Sequence, residues 1–123
     1  MDDKDKERLR TLTKVLRRYN QDARVQFVEK TSAPGYETDF YHEVKPFAEK
    51  VEQLADEWKP LVNEWIRAEK PERLYPIQIH DTYDNIIAAS VLVFQKDARR
   101  RRLHEMIKSI DYVLETAESQ LDD

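Results

Sequence analysis

The sequence predicts an all-α protein folded as an antiparallel up-and-down four-helix bundle. Three observations support this fold class: apolar residues recur at alternating three- and four-residue steps, helix-forming residues dominate, and the chain contains one glycine. Sheet proteins use glycine in turns and bulges, so a single glycine disfavours a β fold. The 123 residues suffice for one domain, residues 1–123, and are too few for two cores.

Helix 1 is predicted over about residues 3–30, where leucines and aromatic residues line one face and charged residues cover the other. The helix is expected to end before Pro34 and Gly35. Pro34 disfavours helical angles in the residue before it, and Gly35 tolerates a left-handed turn.

Helix 2 is predicted over about residues 39–69, with Thr38 as its N-cap. Pro46 and Pro60 lie inside this range, and a proline normally interrupts a helix. The apolar seam nevertheless continues in phase across both prolines, which occupy its outer face. We therefore expect one long helix with two bends rather than three pieces. The seam consists of Phe40, Val44, Phe47, Val51, Leu54, Trp58, Leu61, Trp65 and Ala68.

Helix 3 is predicted over about residues 76–96 and helix 4 over about 98–121. No glycine or proline separates them, so one continuous helix has to be considered. The helical period argues against one continuous helix. Tyr83 and Ile110 are 27 residues apart, so on one helix they would lie on opposite faces, half a turn out of register. A tight turn between the two helices lets the apolar face of each one pack into the core. Asp97 is the expected N-cap of helix 4.

Composition narrows the function classes. The absence of cysteine excludes disulfides, thiol catalysis and thiolate metal sites. A net charge of -4 disfavours a general nucleic-acid coat protein. No apolar run approaches the roughly 20 residues that span a bilayer, and the charged N-terminus does not resemble a signal peptide. We expect a soluble cytoplasmic protein without a membrane partner.

A set of residues in this framework resembles the YppE-like family of small cytosolic proteins from Gram-positive bacilli. The resemblance covers about residues 36–121 and implies a single four-helix bundle, without implying an activity. Pro60 departs from the family pattern. The residues that carry the resemblance are Asp39-Phe40, Lys45-Pro46, Trp58, Pro71, Gln78-Ile79, Asp84-Asn85, Arg101-Arg102-Leu103, Ser109 and Tyr112.

Metal binding and catalysis have few candidate residues. The three histidines, His42, His80 and His104, belong to three different predicted helices and form a weak alternative set of metal ligands. The preferred interpretation is that they are surface or edge residues, with no metal and no cofactor. Ser90 lies in an apolar stripe, where its hydroxyl is expected to bond the carbonyl four residues back rather than act as a nucleophile.

The sharpest local feature is a run of four arginines, Arg99, Arg100, Arg101 and Arg102, at the predicted start of helix 4. Backbone donors and the helix dipole already attract anions at a helix N-terminus. The run is therefore a candidate site for phosphate, a nucleic-acid backbone or an acidic partner. The competing interpretation is a solvated turn.

Three tyrosines are further candidates. Tyr36 and Tyr41 lie near the first connector, and Tyr75 lies in the second. Together they are expected to line one end of the bundle or a partner surface, unless they are simply half-buried loop residues.

The leading functional hypothesis is a non-catalytic module that binds an unidentified protein partner. The alternative is a metal- or small-ligand-binding bundle, with or without an enzymatic activity. The oligomeric state is expected to be a monomer or a weak homodimer, since Tyr41, Val62 and Ile66 lie beside the seam of helix 2.

Overall fold

The computed structural model describes residues 1–122, and within that range the chain forms four helices. None of these helices combines the length and the apolar character that crossing a membrane requires. The helices are α1, Asp3–Val25, continued by a π-helical segment, Gln26–Thr31; α2, Lys45–Glu69, preceded by a π-helical segment, Phe40–Val44; α3, Pro76–Leu92; and α4, Arg100–Leu121.

Side-chain pairs show that neighbouring helices run in opposite directions. Lys6 near the start of α1 forms an ion pair of 2.9 Å with Glu69 at the end of α2. Arg10 in the first half of α1 donates to the carbonyl of Leu121 at the end of α4 at 2.9 Å, and Phe47 near the start of α2 contacts Phe94, just beyond the end of α3. The all-α bundle expected from the sequence is confirmed.

The path of α2 confirms that one helix continues through Pro60. Pro46 lies in the first turn of α2, directly after the π-helical segment, at the junction between the π and α patterns of backbone bonding. Both prolines are exposed, as expected for the outer face of the bundle.

The buried stripe of α2 is wider than the predicted seam. Phe40 and Ala68 are exposed, whereas Ala55, Val62 and Ile66 are buried. The stripe widens because α2 packs against both α1 and α3, so residues beside the seam also face a neighbour. The prediction that Val62 and Ile66 are available for self-association is therefore wrong.

The boundary between α3 and α4 differs from the prediction. α3 ends at Leu92 rather than near residue 96, and α4 begins at Arg100 rather than near residue 98. Val93 and Phe94 are buried and Ala98 packs against the core, so the chain needs residues 93–99 to reverse. Asp97 is consequently not the N-cap of α4; Arg99 occupies that position.

The first connector also has a different cap from the one expected. Asp39, not Thr38, caps the π-helical segment before α2, and its carboxylate accepts a 3.1 Å hydrogen bond from the His42 N–H. Thr38 is used elsewhere: its hydroxyl donates to the carbonyl of Phe94 at 2.8 Å. Gly35 has a φ of 81°, which confirms the expected left-handed turn.

Candidate functional site

The four arginines lie at the start of α4, as predicted. Arg99 is the residue before the helix, and the other three occupy its first turn. All four side chains are exposed. Within the described chain no side chain caps this helix, and its first turn contains no acidic residue. The unpaired backbone N–H groups and the four cations add up to a strongly positive surface. We call Arg99–Arg102 the arginine turn.

The four arginines differ in their contacts. Arg100 donates to the hydroxyl of Ser32 at 3.0 Å, and its guanidinium lies 5.9 Å from the centre of the Phe27 ring. Arg101 lies 3.8 Å from the carboxylate of Glu105. Arg99 and Arg102 form no ion pair or side-chain hydrogen bond with any of residues 1–122. Two of the four guanidinium groups are therefore available to an external anion.

An open cavity of about 270 Å³ lies beside these two arginines, between α3 and α4. Its remaining lining is apolar and half-buried, except for Leu103, which is fully buried and forms the floor. We call it the α3–α4 groove. The lining residues are Ala88, Leu92, Ala98, Arg99, Arg102, Leu103 and Met106.

Hydroxyl groups link the first connector to the turn that precedes the arginines. Thr31 donates to the carbonyl of Val93 at 2.6 Å, and Thr38 donates to that of Phe94. Together with the bond from Arg100 to Ser32, these contacts join the loop 32–39 and the turn 93–99 into one end of the bundle. We call it the arginine end. The sequence reasoning missed this link, although the threonines flanking the first connector were a signal for it.

Replacing Thr31 with valine tests this link. Thr31 is buried, so Thr31→Val leaves the Val93 carbonyl without its partner and is expected to lower the free energy of unfolding by about 1–2 kcal/mol. Amide hydrogen exchange should accelerate in residues 93–99 and stay unchanged at the opposite end. Uniform acceleration along the chain would contradict a local link.

The arginine end also contains both π-helical segments, Gln26–Thr31 and Phe40–Val44. Such segments are rare in helices and occur frequently at functional sites. The second one presents Phe40 and Tyr41, which are 54% and 73% exposed and stack edge to face at 5.3 Å. This pair adds an exposed aromatic surface to the same end as the arginine turn.

The three candidate tyrosines do not share one end of the bundle. Tyr36 and Tyr41 lie at the arginine end, whereas Tyr75 lies in the connector between α2 and α3, at the opposite end. An up-and-down topology places successive connectors at alternate ends, so the prediction of a single surface is wrong. Tyr36 donates to Glu43 at 3.0 Å, and partial burial is the main cause that raises the pKa of its hydroxyl.

The three histidines are not brought together either. His42 is exposed and contacts Asp39, and His104 stacks on the Phe27 ring, both near the arginine end. His80 lies near the opposite end, 3.5 Å from Asp84. Within residues 1–122 no three residues of the types His, Cys, Asp or Glu form a group able to hold a metal ion.

Ser90 is buried and donates to the carbonyl of Ile87 at 2.7 Å. The carbonyl is three residues back rather than the expected four, and a serine hydroxyl in a helix can bond either of them. Its hydroxyl contacts backbone rather than a catalytic base.

Tyr83 offers a pH-dependent test of the packing of α2 against α3. It donates a hydrogen bond to the Asp56 carboxylate, and this bond, followed by burial, raises the pKa of Tyr83 to about 12. Because the folded pKa lies above the ordinary value of about 10, this contribution to stability is present below pH 10 and lost between pH 10 and 12. In an ultraviolet titration, Asp56→Asn should lower the pKa of Tyr83, with Tyr83→Phe identifying its signal. An unchanged titration in Asp56→Asn would contradict this cause.

Comparison with known proteins identifies relatives along most of the chain. Uncharacterized protein YppE from Bacillus subtilis (strain 168) is 23% identical over 83 residues, 68% of each sequence. The crystal structure of a protein of unknown function from Listeria innocua matches with a TM-score of 0.88 and 22% identity, covering 96% of this chain and 94% of that one. The crystal structure of B. subtilis YppE matches with a TM-score of 0.85 and 19% identity, covering 93% and 92%.

These structures support the fold. The sequence match to YppE and a family model confirm the family resemblance found in the sequence. A family model described as a bacterial domain of unknown function, DUF1798, matches residues 13–121. That range includes all of α2, α3 and α4 and most of α1. The chain therefore belongs to the DUF1798 family of bacterial domains.

Proposed function

We propose that this chain is a cytosolic, non-catalytic module that binds another protein through the arginine turn. One observation carries the proposal: Arg99 and Arg102 are exposed at an uncapped helix start and have no partner among residues 1–122. Guanidinium groups recognise carboxylates by two parallel hydrogen bonds, so an acidic protein surface is a suitable partner. The absence of cysteine suits a reducing cytosol, and the cytosolic location is part of the same proposal.

The charge of the whole chain favours a protein partner over nucleic acid. The net charge is -4, so outside the arginine turn a phosphate backbone would meet a repulsive surface. A protein partner needs only a local acidic patch that faces the positive helix start.

The alternative is a bundle that binds a small ligand. The α3–α4 groove supports this candidate, because an open apolar cavity of about 270 Å³ beside two arginines also suits a small amphiphilic anion. Binding of octanoate but no protein would favour this second function. A catalytic role has no comparable support in the contacts of Ser90 or the histidines.

Affinity capture with charge-reversal variants tests the proposed function. We expect the immobilised protein to recover a partner from a lysate of its own bacterium at near-physiological salt. The double variant Arg99→Glu/Arg102→Glu should recover about tenfold less of that partner, because two attractive charges become repulsive. Quantitative mass spectrometry of the eluates gives the ratio.

The matched control reverses two basic residues away from the arginine end. Lys4→Glu/Arg67→Glu changes the net charge by the same amount at two exposed positions, and it should retain the partner. Equal loss in both variants would indicate a general charge effect and contradict the proposal. A wild-type protein that captures nothing at this salt concentration would contradict it too.

A further inference from the structure

We infer that the α3–α4 groove binds a short peptide segment of the partner, in which one or two apolar side chains lie next to a carboxylate. This inference rests on the proposed function, because it specifies which part of the partner meets the arginine turn. It adds an apolar contact to what would otherwise be a purely electrostatic surface.

The size of the groove fits side chains rather than a whole ligand. Its volume of about 270 Å³ is just below the roughly 300–1,000 Å³ of sites that enclose drug-sized molecules. It therefore suits one or two apolar side chains of a peptide. Leu103 closes the floor, and the small side chains of Ala88 and Ala98 leave room above it.

The lining is suited to a peptide helix or an extended segment that lies across two helices. Arg102 and Met106 are four residues apart and face the groove from consecutive turns of α4, and Arg99 lines it from the residue just before the helix. Ala88 and Leu92 face it from α3 at the same spacing. Met106 has a flexible, polarisable side chain that adapts to differently shaped apolar partners.

Charge complementarity indicates that the occupant carries a carboxylate as well as an apolar side chain. Arg99 and Arg102 line the groove, and neither contacts an acidic side chain within the part of the chain that the structure describes. The N-terminus of α4 adds a partial positive charge at the same position. Because both guanidinium groups are exposed, a carboxylate beside the apolar anchor can reach them and add charge-assisted hydrogen bonds that an apolar occupant lacks.

The open shape favours a peptide over a free fatty acid. A lipid chain gains most from a tunnel that removes nearly all of its surface from water, whereas this groove remains open along one side. A peptide covers such a groove with its own backbone and neighbouring side chains. Apolar side chains docked between two helices are a common mode of peptide recognition.

Selection from a random peptide display library tests the inference even while the partner is unidentified. We expect the enriched peptides to place aspartate or glutamate within a few positions of leucine, isoleucine or phenylalanine. Each should bind the wild-type protein about tenfold more tightly than two variants, Arg99→Gln/Arg102→Gln, which removes the charges, and Ala88→Phe, which fills the groove. Amide shifts in ¹⁵N NMR spectra should cluster at Leu92, Leu103 and Met106.

Several outcomes would overturn the inference. These are a selection that enriches nothing, peptides without carboxylates, peptides that bind Ala88→Phe as well as the wild type, and saturation of the groove by octanoate alone. Peptides that match an exposed segment of this chain would point to a second copy as the occupant and also overturn it. Circular dichroism confirms that Ala88→Phe is folded; if it is not, the NMR shifts on the wild-type protein decide.

The inference and the proposed function can fail separately. Suppose that a partner captured from lysate is lost by Arg99→Glu/Arg102→Glu but retained by Ala88→Phe. This result would contradict the inference about the groove and would still support the proposed function. Library peptides that occupy the groove while no lysate protein depends on the arginines would contradict the proposed function instead.

Discussion

Replacing Trp58 with alanine is expected to lower the free energy of unfolding by about 3–5 kcal/mol. Trp58 has 0% of its surface exposed and is the largest fully buried side chain in the described core. Its ring nitrogen donates to the hydroxyl of Thr13 at 3.1 Å, and Thr13 in turn donates to the carbonyl of Leu9. Alanine would leave a cavity between α1 and α2 and remove the partner of a buried hydroxyl.

Urea unfolding followed by far-ultraviolet circular dichroism measures this effect without depending on tryptophan fluorescence. The loss is a large share of the roughly 5–15 kcal/mol that stabilises a domain of this kind. Trp58→Phe keeps an aromatic ring and should lose distinctly less. Gln53→Ala, at an exposed position of the same helix, should stay within about 0.5 kcal/mol. A Trp58→Ala loss below about 1 kcal/mol would contradict the assigned role.

The long helices could be predicted because their apolar spacing repeats over many residues. The seam that continues across Pro60 identified α2 as one helix, and the half-turn mismatch between Tyr83 and Ile110 separated α3 from α4. Both arguments use only the helical period of 3.6 residues, which does not depend on the neighbouring elements. Arguments of this kind are therefore reliable wherever the apolar pattern extends over many residues.

The helix ends at the arginine end could not be predicted in the same way. α3 stops at Leu92 in a region where Thr31 and Thr38 donate to the carbonyls of Val93 and Phe94. Thr31 and Val93 are separated by 62 positions in the sequence, and Thr38 and Phe94 by 56. No local sequence pattern shows such contacts. Thr38 was expected as a cap but bonds the distant Phe94 carbonyl, and Asp39 caps the helix instead. Asp97 was expected as a cap but lies in the reversal, because α4 begins later, at Arg100.

The candidate site was likewise predictable only in part. The arginine turn is visible as a run of charge, and its position at the start of a helix followed from the split between helices 3 and 4. The groove beside it depends on the distance between α3 and α4 and on the small side chains of Ala88 and Ala98. Neither that distance nor the lack of partners for Arg99 and Arg102 among residues 1–122 can be obtained from the order of residues alone.

Pro60→Ala is expected to raise the free energy of unfolding by about 1–3 kcal/mol. Pro60 lies inside α2 and is exposed, so it removes one backbone hydrogen bond and its ring crowds the carbonyl of Asp56 without filling the core. Alanine restores the bond and has the highest helix propensity, which differs from that of proline by about 3 kcal/mol. Urea unfolding compared with the wild type measures the gain.

Pro46→Ala is the comparison variant, because the same substitution is made in the same helix at its first turn, next to the π-helical segment. Pro46 lies where the π-helical segment meets α2, so alanine adds a bond only at this junction and loses the restriction that proline places on the unfolded chain. These two effects oppose each other, and we expect a net change within about 1 kcal/mol of zero. If Pro60→Ala instead destabilised the protein, a bend imposed by Pro60 would be required for packing α2 against α1 and α3. Pro60 would then be a determinant of the bundle shape rather than a tolerated interruption on its outer face.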